Sequence, residues 1–385
     1  MLVEIRMRII IFYTVVFIIL MLLSCVSADT EKHVLKLKSV HRIELDAGAL
    51  PLLSPDGTMM AMCAMNYILV WTSGGKQLVE VEALNDFDRF SLSWSPDSKF
   101  LTATDDFLHQ FKEPDIWILD VTSGKLENLT DDDVPAFPIA KPPPPEANLD
   151  MSPSWSGDGT LLYFFRIRFN EYDESMSLMR FNLSDRTIST VKEIQDPRPW
   201  TQHNLAVDMC GDIVHLYQQD DTFIMYSPDP VFESARMPVS LDLQLNDPFQ
   251  VYGVGYSADR GWLCIRISNF TGNERVRSVS GHDLVFMTQD SEKFVLRSTE
   301  THTITGFCWD PFKGHAFIYT LITPEKSGLY WSTPNGKAEL LLKGHFIAEG
   351  YYAAQGGSPL KWAHNGTVLL YDYKENKLFL AELVP

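Results

Sequence analysis

Basic residues are scarce in this chain of 385: Lys and Arg number 32 against 50 Asp and Glu, a formal charge of −18. A polyanion of that kind repels phosphate backbones, which excludes nucleic acid as a partner. Cysteine is scarce as well, with 5 in the whole chain. Apart from Cys25, the cysteines Cys63, Cys210, Cys264 and Cys308 have neither the spacing of a disulfide framework nor that of a metal knuckle. Cys63, Cys264 and Cys308 sit in apolar, strand-like runs, where a thiol acts as a small hydrophobe. The 10 histidines include no His-x-His or His-Glu-x-x-His. His203, His282, His302 and His315 fall near predicted loops or strand ends and read as isolated, so no metal and no cofactor is expected. A nucleophile elbow is missing too, because Gly255-Tyr256-Ser257-Ala258-Asp259 lacks the closing glycine. The acidic pairs and triplets at Asp105-Asp106, Asp131-Asp132-Asp133 and Asp220-Asp221 lack the alternation that wraps calcium and read as solvated loop tips.

Long apolar runs are absent from the body of the chain, and the exception is at its start. Arg6 and Arg8 precede an uninterrupted apolar stretch over residues 9–23, the upper length for a signal-peptide core and short of a bilayer span. Two exits are legible after it. Leu22-Leu23-Ser24-Cys25 resembles a bacterial lipobox, with Cys25 as the lipidated residue and Leu23 as the departure from the pattern. Val26-Ser27-Ala28 offers small residues to an ordinary signal peptidase. The lipid anchor at Cys25 is preferred over release. Either exit puts the body of the protein outside the cytoplasm, in the cell envelope or in the periplasmic or extracellular space. Residues 1–28 are then an export signal and 29–385 the folded domain.

What the sequence has in quantity is a turn. Ser54-Pro55-Asp56-Gly57, Trp94-Ser95-Pro96-Asp97-Ser98 and Trp155-Ser156-Gly157-Asp158-Gly159 each precede a short apolar run. Weaker copies start at Met209, Tyr256, Trp309 and Trp362. Pro presets φ, Asp bonds to its own backbone, and Gly supplies the positive φ that closes the corner. The spacing averages about 50 residues, the period of a propeller blade. A second strand pair follows in most units, as in Ile116-Trp117-Ile118-Leu119 and Leu126-Glu127-Asn128-Leu129, so each unit holds four antiparallel strands. The insertion at 134–147 carries Pro142-Pro143-Pro144-Pro145 and reads as an extended polyproline arm.

These turns resemble the Trp-Ser-Pro-Asp-Gly repeat of TolB-like propellers, which also occurs in the propeller domains of prolyl-oligopeptidase-type peptidases. Asp150-Met151-Ser152-Pro153-Ser154-Trp155 is similar to that family's lead-in to the turn. The resemblance covers residues 33–385 and implies an all-β, seven-bladed propeller, with six or eight blades as alternatives. A strand over 33–45 is expected to pair with the last unit and close the ring. Neither the α/β domain of TolB nor the hydrolase domain of the peptidases has a counterpart in the sequence.

The expected function is that of a monomeric, non-enzymatic binding or scaffold module for a protein or cell-envelope ligand. Contact with membrane would come only through the N-terminal anchor. The alternative is a propeller-fold carbohydrate lyase or hydrolase with its site at the channel mouth. Most of the nine tryptophans occupy repeat positions. Trp200, Tyr351 and Tyr352 lie between units, and with Pro143 they form the expected recognition loops.

Overall fold

A computed structural model describes residues 35–43, 51–83, 86–88, 91–105, 114–134, 144, 147–169, 174–194, 203–207, 213–219, 222–226, 238–240, 249–259, 261–273, 276–288, 292–299, 301–312, 314–347 and 360–384. Contacts divide the chain into two units, Met1–Lys36 with Val384–Pro385, and Leu37–Leu383. The second unit carries the blades.

All regular structure described is β. Six four-stranded antiparallel blades are built wholly from strands consecutive in sequence: residues 52–82, 93–128, 149–194, 203–240, 249–296 and 303–343 for blades 1 to 6. Blade 3 is typical, with Leu149–Trp155, Leu161–Phe169, Glu174–Asn182 and Thr187–Ile194 in order. Its second strand is apolar on both faces because blades pack face to face, and Leu162, Phe164, Phe165 and Ile167 are all buried. Ile116 and Ile118 of blade 2 meet Trp155, Leu162 and Phe164 of blade 3 in one core. The same kind of core joins blades 1 and 2 through Val70, Trp94 and Leu101, and blades 5 and 6 through Phe286, Trp309 and Phe317. Each such side chain removed from water contributes about 1.5–3 kcal/mol.

The expectation of a seven-bladed ring closed by pairing of the N-terminal strand with the last blade is corrected by the remaining sheet. Only six blades are self-contained repeats; the other sheet is a composite of Phe346–Ile347, Thr367–Asp372, Lys377–Val384 and Lys36–Ile43. Its first strand is two residues long and pairs with Asp372 and Tyr371, while Trp362, at the repeat's aromatic position, makes an isolated bridge to Val368. The N-terminal strand runs Lys36–Ile43 within the expected 33–45, of which 33, 34, 44 and 45 lie outside the described residues, and it is mostly exposed. It lies beside Lys377–Val384 as an edge, with Lys38 Nζ on Glu382 at 2.6 Å and Ser39 Oγ on the same carboxylate at 3.2 Å. A strand reading Lys-Leu-Lys-Ser-Val-His-Arg has too many charges to be covered on both faces, and exposed pairs of this kind are worth at most about 1 kcal/mol. The two ends thus meet in a solvated edge, and not in a buried seam that shuts a ring.

The recurring turn has one internal wiring. Ser54 Oγ donates to Asp56 Oδ1 at 2.6 Å and accepts from Met59 N at 3.0 Å. Ser95 with Asp97 and Phe100, Ser156 with Asp158 and Leu161, and Ser257 with Asp259 and Trp262 repeat it. Hydrogen bonds from Ser156, then Thr160, hold the Asp158 carboxyl below its ordinary value. Ser98 stands where the copies at Ser54 and Ser156 have Gly57 and Gly159, at φ 61°, and its hydroxyl accepts Asp56 N of the neighbouring turn at 3.1 Å. A residue that is strained there gains a bond between blades.

The aromatic before the turn stitches the blades together. Trp94 Nε1 donates to Leu52 O at 3.1 Å, Trp155 Nε1 to Ser93 O at 3.4 Å and Trp309 Nε1 to Gly255 O at 3.0 Å. Each carbonyl lies two residues before the turn's first position in the preceding blade. Trp362 is buried to the same degree, yet its Nε1 has no partner among the described residues. Trp94→Phe should therefore cost about 1 kcal/mol more than Trp362→Phe, because only the first breaks an indole hydrogen bond, that to the part-buried Leu52 carbonyl. Equal losses in denaturant melts of the two variants would show that the indole bonds contribute nothing.

Candidate functional site

In blades 2 and 3 the turns close one face, and the opposite ends of the same strands carry a buried polar network. Asp115 precedes the third strand of blade 2, Asn128 ends the fourth, and Thr130 and Asp132 come after it. Asp150 opens blade 3 and is the register partner of Arg166 on its second strand. The antiparallel pairing thus sets a carboxylate and a guanidinium side by side. Arg166 Nε and Nη2 donate to the two Asp150 oxygens at 2.7 and 2.6 Å, a bidentate fork. Asp150 is 0% exposed and Arg166 9%. Burial works against the guanidinium charge, but the Asp150 bonds and charge outweigh it and hold Arg166 protonated beyond its ordinary value.

Among the described residues the side chains that donate to Asp115 are neutral. Asn128 Nδ2 gives it 2.8 Å and Thr130 Oγ1 3.0 Å. Burial pushes its carboxyl up to about 6; the Asn128 and Thr130 bonds oppose this, and the charges of Asp150 and Asp132 add to it. Asp132 accepts Val134 N at 3.1 Å, Asn148 N at 2.9 Å and Asn148 Nδ2 at 2.8 Å, and Arg168 Nε reaches Asn148 Oδ1 at 2.7 Å. These bonds fix both described flanks of the insertion, 131–134 and 147–148. Chemically the site is a satisfied set of three carboxylates around one guanidinium. It offers positioning and recognition.

This network is not among the sequence expectations. Asp150 is visible there as the acid of the lead-in, and Arg166 as a cation inside the run Leu-Leu-Tyr-Phe-Phe-Arg-Ile-Arg-Phe. A cation in a strand expected to be covered on both faces needs a buried partner, and that signal points to Asp150. The expected recognition residues Pro143, Trp200, Tyr351 and Tyr352, and the lipidation residue Cys25, lie outside the described residues. So do Asp106, Cys210, Asp220 and Asp221.

The histidine pool is not brought together. His282 is buried and its carbonyl accepts Ser298 Oγ, His302 meets Thr301 and Thr299, and His315 Nδ1 lies 3.0 Å from Asp259 on the turn face. His203 is described only as part of a strand. Among the described residues no three His, Cys, Asp or Glu side chains are grouped to hold a metal ion. Cys63, Cys264 and Cys308 are free thiols, and burial pushes each above its ordinary pKa. A separate cavity of about 550 Å³ lies against Thr323, Ser327, His345 and Asp372, between blade 6 and the composite sheet.

No protein-family model and no curated protein matches the chain. Among solved structures, an oligogalacturonate lyase from Vibrio parahaemolyticus is similar over 91% of this chain and 98% of its own, at 9% identity and a TM-score of 0.51. The Dos1 propeller is similar over 86% of this chain and 77% of its own, at 12% identity and a TM-score of 0.50. TolB from Acinetobacter baumannii matches at 14% identity and a TM-score of 0.42 over 76% of this chain, which spans 65% of that TolB. Identities so low speak for fold alone, and the fold shared with the lyase and Dos1 is the β-propeller.

Proposed function

We propose that the chain is an exported binding module that engages a protein or cell-envelope component. It would be tethered by lipid at Cys25 or released after Ala28. The contact would lie on the face away from the turns, around the seam between blades 2 and 3. The observation that supports this reading is the buried network that fixes residues 131–134 and 147–148. A site under selection only for stability would be better filled with apolar side chains, because buried ion pairs rarely gain on their hydrophobic equivalents. Fixed flanks instead keep a surface pre-ordered for a partner, which lowers the entropy lost on binding. The charge of −18 favours a partner with a positive face and makes its association salt-dependent.

The test is capture from envelope extract by tagged residues 29–385. Asp132→Ala/Asn148→Ala, which frees the flanks, should lose at least about five-sixths of the captured partner, a deficit of about 1 kcal/mol. Lys99→Ala on the turn face should lose none. Capture that is blind to the double variant and abolished by Lys99→Ala would place the contact on the wrong face.

A further inference from the structure

We propose that the seam between blades 2 and 3 is a proton-locked joint, in which one proton taken up by Asp115 tightens the hold on residues 130–134 and 147–150. The inference goes beyond the binding reading and stands whether or not the seam meets a partner.

The geometry counts charges. Among the described residues Asp115 is faced by Asp105, just after the second strand of blade 2, whose N–H donates to the Asp115 carbonyl at 3.2 Å. Asp132 faces it from the loop after the fourth strand, and Asp150 and Arg166 from blade 3. Arg168 approaches only through Asn148. The Arg166 guanidinium is taken up by Asp150, with both carboxylate oxygens engaged. Asp132 is satisfied by three N–H groups at the edge of the network. Asp115, 6% exposed, is left as an ionised group with two neutral donors and like charges near it. Among the described residues it is the buried carboxylate of the network with no cation bonded to it, and a proton relieves it directly.

The network has a place for that proton. Thr130 Oγ1 lies 3.0 Å from Asp115 Oδ1, accepts Ile116 N at 2.9 Å, and also reaches Asp150. When Asp115 is ionised, the Thr130 hydroxyl points at it. When Asp115 is protonated, its O–H donates to Thr130 Oγ1 and the hydroxyl turns to Asp150, while Asn128 Nδ2 still donates to the other Asp115 oxygen. Every buried group keeps a partner, and the network carries one negative charge fewer. The proton comes from solvent and no bond other than O–H forms or breaks.

The sign follows from linkage. The carboxyl titrates at about 6 when the seam is shut, and at the ordinary Asp value of roughly 4 when it opens to water. The closed form therefore holds the proton more tightly. Its extra stability is complete below the ordinary value and is lost as the pH rises through about 6.

Hydrogen exchange at the amides of Ile116, Leu129 and Asp150, all bonded within the seam, reads this directly. After correction for intrinsic rates, protection in the full chain should be about tenfold greater at pH 5 than at pH 7.5. Asp115→Asn, which copies the protonated carboxyl in shape and hydrogen bonding, should be at least as protected at pH 7.5 as the wild type is at pH 5, and lose the pH dependence. Protection that is flat or falls on acidification would overturn the proposal. A second measurement needs no variant to fold: the carboxyl carbon of Asp115 in ¹³C-Asp-labelled wild type should titrate near 6, and a midpoint at the ordinary carboxylate value would equally sink it.

Discussion

Gly366→Ala should remove about 3 kcal/mol or more of stability, seen as a large drop in the denaturant midpoint, whereas Gly124→Ala should remove only about 1 kcal/mol. Both glycines turn corners at positive φ, 89° and 71°. Both substitutions therefore incur the left-handed strain of an L-residue. They differ in what a methyl group would meet. At Gly124 nothing lies within 4 Å. At Gly366 the new Cβ would sit 2.4 Å from the carbonyl oxygen of Leu383, a backbone atom that cannot swing aside. The corner cannot retreat either, because Gly366 O accepts Leu383 N and Gly366 N donates to Ala363 O, each at 2.9 Å. Relief would cost those bonds and detach the last strand of the chain from the turn that anchors it. Matched losses in the two variants would show that this approach is soft.

The contrast between these corners shows what the sequence can and cannot reveal. The turns are legible because their chemistry is local. Ser54 reaches Asp56 and Met59, and the same offsets recur at Ser95, Ser156 and Ser257. Four-stranded units and their buried second strands follow from those corners and from the apolar runs after them. The composite sheet is not legible. Trp362 marks the repeat, yet the pairing strand is Phe346–Ile347, which carries no turn signature. The edge role of Lys36–Ile43 is readable from its alternating charges, which outweigh the demand of a propeller for a closing strand. The seam network is hidden for another reason. Asp115 to Thr130 and Asp150 to Arg166 are contacts across 15 and 16 residues, set by strand register and not by any local motif. A register slip of one residue would turn Arg166 to the other face of its strand.

Arg166→Met should destabilise the protein by about 3–5 kcal/mol, while Asp150→Leu/Arg166→Met should recover most of that loss. The single variant leaves the Asp150 carboxylate at 0% exposure without the guanidinium that pairs with it, beside Asp115 and Asp132. A buried carboxylate left so must either be desolvated unpaired or take a proton, and both are costly at neutral pH. Removing both charges leaves apolar side chains on the face of Phe164, toward Ile116 and Leu129, which are already buried there. The double-mutant cycle then reads a coupling close to the whole single-variant loss. The deficit of Arg166→Met should also shrink as the pH falls from 7.5 to 5, because protonation of the stranded carboxyl removes the unpaired charge. The double variant lacks that carboxyl and should show no such recovery beyond what Asp115 supplies. If instead the double variant were as unstable as the single, the pair would be holding the seam by its shape and packing. In that case Phe164, over which the Arg166 guanidinium lies at 5.7 Å, would be the contact that matters. Thermal or denaturant unfolding of three proteins at two pH values separates these outcomes.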